Sequence, residues 1–183
     1  MKINGIVLAG TNNGCGISTV MSAVIGALVK RKIAVQAFKV GPEHCDPILH
    51  TFITGKHSRN LDSCLLSEEI VSFLYERNSF GSDISVIEGA GGIFDCRGGC
   101  STAHIARLTG APVILVLDGS GISLTACAVL QGIISFDSEI SIKGVILNNI
   151  EEKSHYEYLK ELIEERTNIS VLGYIPKMYD ISI

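Results

Sequence analysis

The sequence predicts an α/β fold in which helices cover both faces of a doubly wound, mostly parallel sheet. Short apolar runs alternate with stretches of helical periodicity along the 183 residues. The runs are apolar throughout, as expected of strands that are buried on both faces. No repeat, linker-like segment or low-complexity tract interrupts the alternation, so we expect a single domain over residues 1–183.

The individual elements follow from these patterns in chain order. Six strands are predicted from the apolar runs, at residues 3–8, 34–40, 84–88, 112–118, 144–148 and 170–175. Five helices are predicted between them, at residues 18–32, 67–77, 102–109, 124–135 and 154–166. A long loop is predicted at residues 41–62, and a glycine-rich loop from residue 89 to Gly99. Because the ligand crevice of such sheets lies beyond the carboxyl ends of the strands, functional residues are expected in these loops.

Composition and charge limit the class of partner. The chain has 15 Lys and Arg residues against 19 Asp and Glu, a net charge of -4, and no basic run. This pattern argues against nucleic acid as the main partner and favours a small molecule. The sequence has neither an apolar stretch of about 18 residues nor a signal region at its N-terminus, so we expect a cytoplasmic protein without a membrane anchor.

The cysteines raise the question of disulfides and metal ligands. The six are Cys15, Cys45, Cys64, Cys96, Cys100 and Cys127. A core-forming chain without an export signal is expected to keep them reduced. Because five of the six fall in or beside the predicted functional loops, near His44, His50 and His57, a metal or cluster site stays open as an alternative. The chain has no C-x-x-C pair, and we therefore expect no stoichiometric zinc or iron.

A glycine-rich segment joins the first predicted strand to the first predicted helix. In this context backbone N–H groups and a helix N-terminus can bind a phosphate chain. The predicted nucleotide-binding residues of the segment are Thr11, Asn12, Asn13, Gly14, Cys15, Gly16, Ile17, Ser18 and Thr19. Ser18 occupies the position whose hydroxyl meets Mg²⁺, whereas the preceding position, normally a lysine, is Ile17. An ordinary strand-to-helix turn is the alternative.

Polar residues after the second and third predicted strands complete the candidate site. Lys39, Asp46 and Arg59 supply a cation, a metal-binding carboxylate and a carboxylate clamp. A loop of this length inside a compact domain is usually functional, with a solvated surface loop as the alternative. Glu88 stands at the end of the next strand with glycines behind it, so it is a predicted Mg²⁺ ligand.

Further motifs follow the phosphate loop in a characteristic order. They include Phe-Lys-Val-Gly-Pro at 38–42, Ser-Arg-Asn-Leu-Asp at 58–62 and Gly-Ile-Phe-Asp at 92–95. The loop itself opens with Gly-Thr, and five residues separate Gly10 from Gly16, unlike the common G-x-x-x-x-G-K-[ST] pattern. Together these motifs resemble the ATP-dependent domain of cobyrinate a,c-diamide synthases, within a superfamily of P-loop NTPase-like proteins that includes dethiobiotin synthetase. The resemblance extends over nearly the whole chain.

The resemblance implies an amidoligase that depends on ATP and Mg²⁺. Enzymes of this family phosphorylate the a and c acetate side chains of a cobyrinic-type corrinoid and then replace each phosphate with ammonia from glutamine. The implied catalytic residues are Lys39, Asp46 and Asp95. The implied metal ligands are Ser18, Asp46 and Glu88, and the implied adenine contact is Asn148. The implied substrate-binding residues are Glu43, His44, Arg59, Asn60 and Asp62.

The chain departs from the family pattern at several positions. Ile17 replaces the loop lysine, and Cys96 and Cys100 replace glycines. Glu43 and His44 stand where the family has an acid and an aromatic residue. The C-terminal glutamine amidotransferase domain of the family is expected to be absent, so ammonia would be free or would come from a separate glutaminase chain.

Three functional hypotheses follow. The first is an ATP-dependent amidoligase domain, either intact or impaired by the loss of the loop lysine. The second is a non-catalytic relative that binds a nucleotide, a tetrapyrrole or a partner. The third is a carboxylate ligase similar to dethiobiotin synthetase, favoured by Glu-Gly-Ala-Gly-Gly at 88–92. A homodimer is left open in each case.

Overall fold

A computed structural model describes residues 3–96 and 100–179 of the protein. Within them the strands are β1 (Gly5–Gly10), β2 (Val35–Val40), β3 (Arg59–Leu61), β4 (Ile84–Gly92), β5 (Val113–Asp118), β6 (Ile142–Ile150) and β7 (Val171–Pro176). The helices are α1 (Ile17–Lys30), α2 (Cys45–Thr54), α3 (Glu68–Ser79), α4 (Thr102–Thr109), α5 (Leu124–Phe136) and α6 (Lys153–Thr167). The predicted glycine-rich loop ends at residues 97–99, which lie outside the described part.

The strands form one sheet in the order β3-β2-β4-β1-β5-β6-β7. The strand pairs are parallel, in line with the predicted doubly wound topology. β1 lies in the middle, and the chain crosses from one side of it to the other between β4 and β5. A crevice at the carboxyl end of β1 is therefore the expected ligand position.

The core consists of two apolar clusters, one on each face of the sheet. On β1, Val7 and Ala9 belong to one cluster and Leu8 to the other, so the strand is buried on both sides. One cluster includes the inner face of α1, and the other includes residues of α3, α4, α5 and α6. This two-sided burial explains why the strands read as continuous apolar runs in the sequence.

The segment predicted as a long loop at residues 41–62 contains a helix and a strand, so that prediction was wrong. Pro47 falls in the first turn of α2, where a missing backbone N–H costs little, so it does not prevent the helix. Ile48 and Phe52 of α2 are 71% and 86% exposed, and these apolar residues on the outer side obscure the amphipathic pattern. β3 has only three residues, which is too short for a recognisable apolar run.

Among the described residues, no helix combines the length and apolar character needed to cross a membrane.

Candidate functional site

The glycine-rich loop connects β1 to α1 and is held from two sides. Thr11 N donates a hydrogen bond to Val116 O of β5 at 3.0 Å. On the other side, Asn148 Nδ2 of β6 donates to Cys15 O at 3.0 Å. Gly16 has φ 87°, and a Cβ there would lie 2.0 Å from Asn148 Nδ2. Both the backbone angle and the neighbouring amide therefore require glycine at position 16.

Ile17 brings no charge to the ligand side of this loop, where the common pattern has a lysine. Its side chain is 8% exposed and belongs to the same apolar cluster as Cys15 and Val20. A Cβ at Gly10 would lie 2.7 Å from Ile17 Cδ1 and 2.8 Å from Cys15 Sγ, so both side chains pack closely over Gly10. Burial raises the pKa of the Cys15 thiol. Positions 15 and 17 consequently supply apolar packing and no charge.

A buried polar cluster lies beside the loop, centred on Glu88. Ser18 Oγ donates to Glu88 Oε1 at 2.7 Å, and Lys39 Nζ donates to the same oxygen at 2.9 Å. Lys39 also donates to Gly89 O at 3.0 Å and forms an ion pair with Asp46 Oδ2 at 2.7 Å. Register explains the meeting, because Lys39 on β2 and Glu88 on β4 are direct neighbours in the sheet.

His50 is the functional candidate that the sequence analysis did not assign to the site. Its Nε2 lies 2.6 Å from Glu88 Oε2, and its Nδ1 lies 3.3 Å from Ser58 Oγ. The Nε2 contact has the distance of an ion pair, but Glu88 Oε2 has no well-aligned hydrogen bond. His50 follows Asp46 by one helical turn, which puts both on the same face of α2. That signal is visible only once residues 45–54 are known to be helical.

The charges of Glu88 and Lys39 support each other. Burial alone would raise the pKa of the Glu88 carboxyl, but its contacts with His50, Lys39 and Ser18 outweigh burial and leave that pKa lowered. Burial alone would lower the pKa of Lys39, but Glu88 and Asp46 outweigh it and leave that pKa raised. Both groups therefore stay ionised around neutral pH although the surroundings are largely dry.

A cavity of about 340 Å³ opens between the loop and this cluster. Its lining residues are Asn13, Gly14, Gly16, Ile17, Ser18, Thr19, Lys39, Asp46, Glu88, Gly89 and Gly91. Six of the nine predicted phosphate-loop residues and all three predicted metal ligands thus line one space at the carboxyl ends of β1, β2 and β4. Thr11, Asn12, Cys15 and Asn148 are not among its lining residues.

Several of the other predicted residues hold backbone in place. Glu43 Oε1 accepts from His44 N at 2.8 Å and Cys45 N at 2.9 Å at the start of α2, and the donors lower the pKa of Glu43. Asn60 Nδ2 donates to Gly41 O at 2.6 Å and to Glu43 O at 2.7 Å. His44 itself is exposed.

The remaining predicted substrate-side residues differ in exposure. Asp62 is buried, and its Oδ1 accepts from Cys64 N at 2.9 Å. Arg59 and Asp95 are exposed, and Asp95 Oδ2 accepts from Gly92 N at 3.1 Å. The next residue along from Gly92, Ile93, donates its N–H to Gly10 O at 2.8 Å, which brings the Asp95 loop against the phosphate loop.

The cysteines do not follow the sequence-based expectation. Cys64 and Cys100 form a disulfide, so the prediction that all six thiols are reduced was wrong for this pair. Cys96 Sγ lies 3.0 Å from Cys100 Sγ. Sulfur atoms from two loops that are distant in sequence thus lie close together, which the spacing of the cysteines along the chain does not indicate.

Comparison with models of protein families identifies the family of this chain. The sequence profile of the AAA_26 family, described as an AAA domain, matches residues 50–182, which is more than half of the 183 residues. The chain belongs to this AAA family. The profile match begins after the phosphate loop, so the loop is identified by its geometry and by the relatives that align over it.

Curated relatives of this AAA-family chain are cobyrinate a,c-diamide synthases. The chain is 44% identical over 180 residues to the enzyme of Listeria innocua serovar 6a. The matched region covers 96% of this chain and 40% of the relative. The chain is 41% identical over 177 residues to the enzyme of Salmonella typhimurium. That match covers 94% of this chain and 39% of the relative. The chain therefore spans about 40% of the length of these relatives.

Two solved structures share the fold of this AAA-family chain. Chloroplast FtsY from Physcomitrella patens matches with a TM-score of 0.61 and 16% identity, covering 93% of this chain and 58% of that chain. Hydrogenase maturation factor HypB from Archaeoglobus fulgidus matches with a TM-score of 0.59 and 12% identity, covering 95% and 82%. The predicted P-loop NTPase-like fold is confirmed.

Proposed function

We propose that this chain is an ATP- and Mg²⁺-dependent amidoligase domain of the cobyrinate a,c-diamide synthase type, working at a reduced rate. The observation that carries the proposal is the cluster of Ser18, Lys39, Asp46 and Glu88 at the mouth of the phosphate loop. The 44% identity to a cobyrinate a,c-diamide synthase supports the corrinoid type over a dethiobiotin synthetase-like ligase.

Oxygen donors around Glu88 fit the requirements of Mg²⁺. Ser18, Asp46 and Glu88 would hold the ion, because hydroxyl and carboxylate oxygens are its preferred ligands. Ser18 Oγ lies 2.7 Å from Glu88 Oε1, and Lys39 Nζ contacts both Glu88 and Asp46, so the three oxygen-bearing side chains already lie together. When bound, Mg²⁺ supplies charge neutralisation for the phosphoryl group that is transferred.

Other side chains divide the remaining work. Lys39, at the end of β2, would supply the cation that Ile17 does not. Asn148 holds the loop through Cys15 O and would contact the adenine. Asp95 would orient the carboxylate that accepts the phosphoryl group, since its loop contacts the phosphate loop. Glu43, His44, Arg59, Asn60 and Asp62 would shape the substrate side.

The proposed substrate is a corrinoid or another tetrapyrrole carboxylate. The carboxylate oxygen attacks the terminal phosphorus of ATP and ADP leaves; ammonia then attacks the acyl carbon and phosphate leaves. Ammonia would be free or delivered by a glutaminase domain or chain. A second candidate is nucleotide binding without turnover. It is favoured by Ile17, a buried apolar residue that stands in place of the lysine that such loops use. Losing one such group typically costs about 10² to 10³ in rate.

Turnover with cobyrinic acid tests the proposal. The protein is incubated with cobyrinic acid, ATP, Mg²⁺ and ammonium chloride, and products are identified by mass spectrometry. We expect slow conversion of carboxyl groups to amides with matching release of ADP, and none in Glu88→Gln. ATP binding without any amide product in the parent would favour the non-catalytic candidate.

A further inference from the structure

The sulfur atoms of three cysteines lie close together, and these cysteines do not line the cavity described above. Cys64 lies in the connection between β3 and α3, whereas Cys96 and Cys100 lie in the connection between β4 and α4. The three Sγ atoms all lie within 4.8 Å of one another. Cys64 and Cys96 are exposed and Cys100 is partly buried, so the group is open to solvent.

The framework on the β3 side fixes Cys64 without help from sulfur chemistry. Asp62 Oδ1 accepts hydrogen bonds from Cys64 N at 2.9 Å and from Leu65 N at 3.2 Å. Asp62 O accepts another from Leu66 N at 3.1 Å. This turn is anchored by a buried carboxylate, so Cys64 has a defined position even when the disulfide is reduced.

The framework on the β4 side is equally independent of the disulfide. Ala90 N donates to Thr102 Oγ1 at 3.0 Å, and Ala103 N donates to Ile93 O at 2.9 Å. These bonds fasten the start of α4, directly after Cys100, to the end of β4. The helices that follow the two loops also contact each other, since His104 Nε2 of α4 lies 3.4 Å from Glu68 Oε1 of α3.

We propose that Cys64, Cys96 and Cys100 form a three-thiolate site for one zinc-like divalent cation. Tetrahedral Zn²⁺ with Zn–S bonds of about 2.3 Å places its sulfur ligands about 3.8 Å apart. Cys64 and Cys100 are bonded to each other and Cys96 Sγ lies 3.0 Å from Cys100 Sγ, so reduction of the disulfide lets the three sulfurs separate to this spacing within the same small region. Cys100 N donates to Cys96 Sγ at 3.1 Å, and a backbone donor of this kind stabilises a metal-bound thiolate. The group contains no fourth side chain among the described residues, so the fourth ligand is water or an added molecule.

The proposed cation would act on the neighbouring site by position. Cys96 follows Asp95 directly, and the same loop donates from Ile93 N to Gly10 O at 2.8 Å. A cation held by both loops would fix the Asp95 loop against the phosphate loop. The metal site stands on its own geometry and does not depend on the amidoligase activity.

Metal titration of the reduced protein tests the proposal. A phosphine reductant first converts the disulfide and water to two thiols and phosphine oxide, and is then removed under anaerobic conditions. Co²⁺ is added as the probe, followed by Zn²⁺ in competition. We expect sulfur-to-cobalt charge-transfer absorption that saturates at one equivalent and disappears on addition of Zn²⁺, because the thiols are deprotonated by the metal.

Single serine variants identify the ligands. Cys64→Ser, Cys96→Ser and Cys100→Ser should each weaken Co²⁺ binding by about tenfold or more, whereas Cys45→Ser, an exposed cysteine outside the group, should not. Undiminished binding in Cys96→Ser would overturn the three-thiolate site and leave only a disulfide pair. The absence of any charge-transfer absorption in the parent would overturn it entirely.

Alkylation of the unmutated protein gives a result that does not depend on variant folding. After reduction of the disulfide and removal of the reductant, Zn²⁺ should slow the reaction of iodoacetamide at Cys64, Cys96 and Cys100 and leave the reaction rate at Cys45 unchanged, as read by peptide mass spectrometry. Equal reaction rates at all four with and without Zn²⁺ would contradict the proposal.

Discussion

The ammonium group of Lys39 lies 2.9 Å from Oε1 of Glu88, a carboxylate that is completely buried. The same nitrogen contacts Asp46 at 2.7 Å. A phosphate loop without its own lysine therefore faces a lysine from β2, two strands away in the sheet, that is already neutralised by two acids. The strength of these two ion pairs, and whether Lys39 contacts the phosphates of a bound nucleotide, determine whether the site can support catalysis.

Lys39→Met is expected to destabilise the protein strongly. Removing one partner of a buried ion pair leaves the other charge without compensation, which typically costs about 3 to 5 kcal/mol. Ser18 and His50 still contact Glu88, so we expect the lower end, about 3 kcal/mol, in urea unfolding. Lys177→Met, which breaks the exposed pair with Glu151, is the matched control and should change the free energy of unfolding little. Equal effects in the two variants would mean that the buried network adds no stability.

Glu88 should make stability depend on pH in the acid range. Its pKa is lowered in the folded protein, so its contribution is present above the unfolded value of about 4.3 and is lost as the pH falls through the folded pKa. Glu88→Gln should therefore flatten the loss of stability below about pH 4.3. Glu157→Gln, which alters the exposed contact with Lys153, serves as control. An unchanged acid limb in Glu88→Gln would contradict the lowered pKa.

Gly16 and Asn148 should behave as a coupled pair. Gly14→Ala and Gly16→Ala both place a side chain at positive φ, which costs about 1 to 2 kcal/mol. Only at Gly16 would the new Cβ also meet Asn148 Nδ2, so Gly16→Ala should be the more damaging. In a double-mutant cycle with Asn148→Ala, part of that extra cost should disappear, by about 0.5 to 3 kcal/mol. Simple additivity would show that the two residues do not interact.

Ile17→Lys should strengthen ATP binding if the rest of the site is competent. A charge-assisted contact with phosphate is worth about 1 to 3 kcal/mol, and ADP should gain less than ATP because it lacks the terminal phosphate. Ile17→Met, which keeps an apolar side chain, is the control in calorimetric titration. If Ile17→Lys binds ATP no better than Ile17→Met, the added charge is redundant with Lys39 or cannot reach the nucleotide.

The sequence was informative where local pattern and structure coincide. The apolar runs located the buried strands because both faces of the sheet are covered, and the glycine-rich turn located the phosphate loop because Gly16 needs its backbone angle. Glu88 and Lys39 were predictable as strand-end residues, and their contact follows from parallel register.

Other features depended on tertiary contacts that no local pattern reveals. α2 was missed because exposed Ile48 and Phe52 hide its periodicity, and His50 was missed with it. The approach of Cys64 to Cys96 and Cys100 depends on the neighbouring positions of the first turns of α3 and α4. Cys64 and Cys100, which form the disulfide, are 36 residues apart in the sequence. Spacing along the chain therefore gave no sign of the sulfur group.

Calorimetric titration of the parent and Ser18→Ala with ATP in the presence and absence of Mg²⁺ tests the proposed nucleotide and metal site. We expect one ATP site in the parent that binds more tightly with Mg²⁺, and a Mg²⁺ effect that is largely lost in Ser18→Ala because a proposed ligand of the ion is gone. Ser22→Ala, which removes a hydroxyl one turn further along α1, should keep the Mg²⁺ effect. Absence of ATP binding in the parent, or a Mg²⁺ effect that survives Ser18→Ala unchanged, would contradict the proposed site.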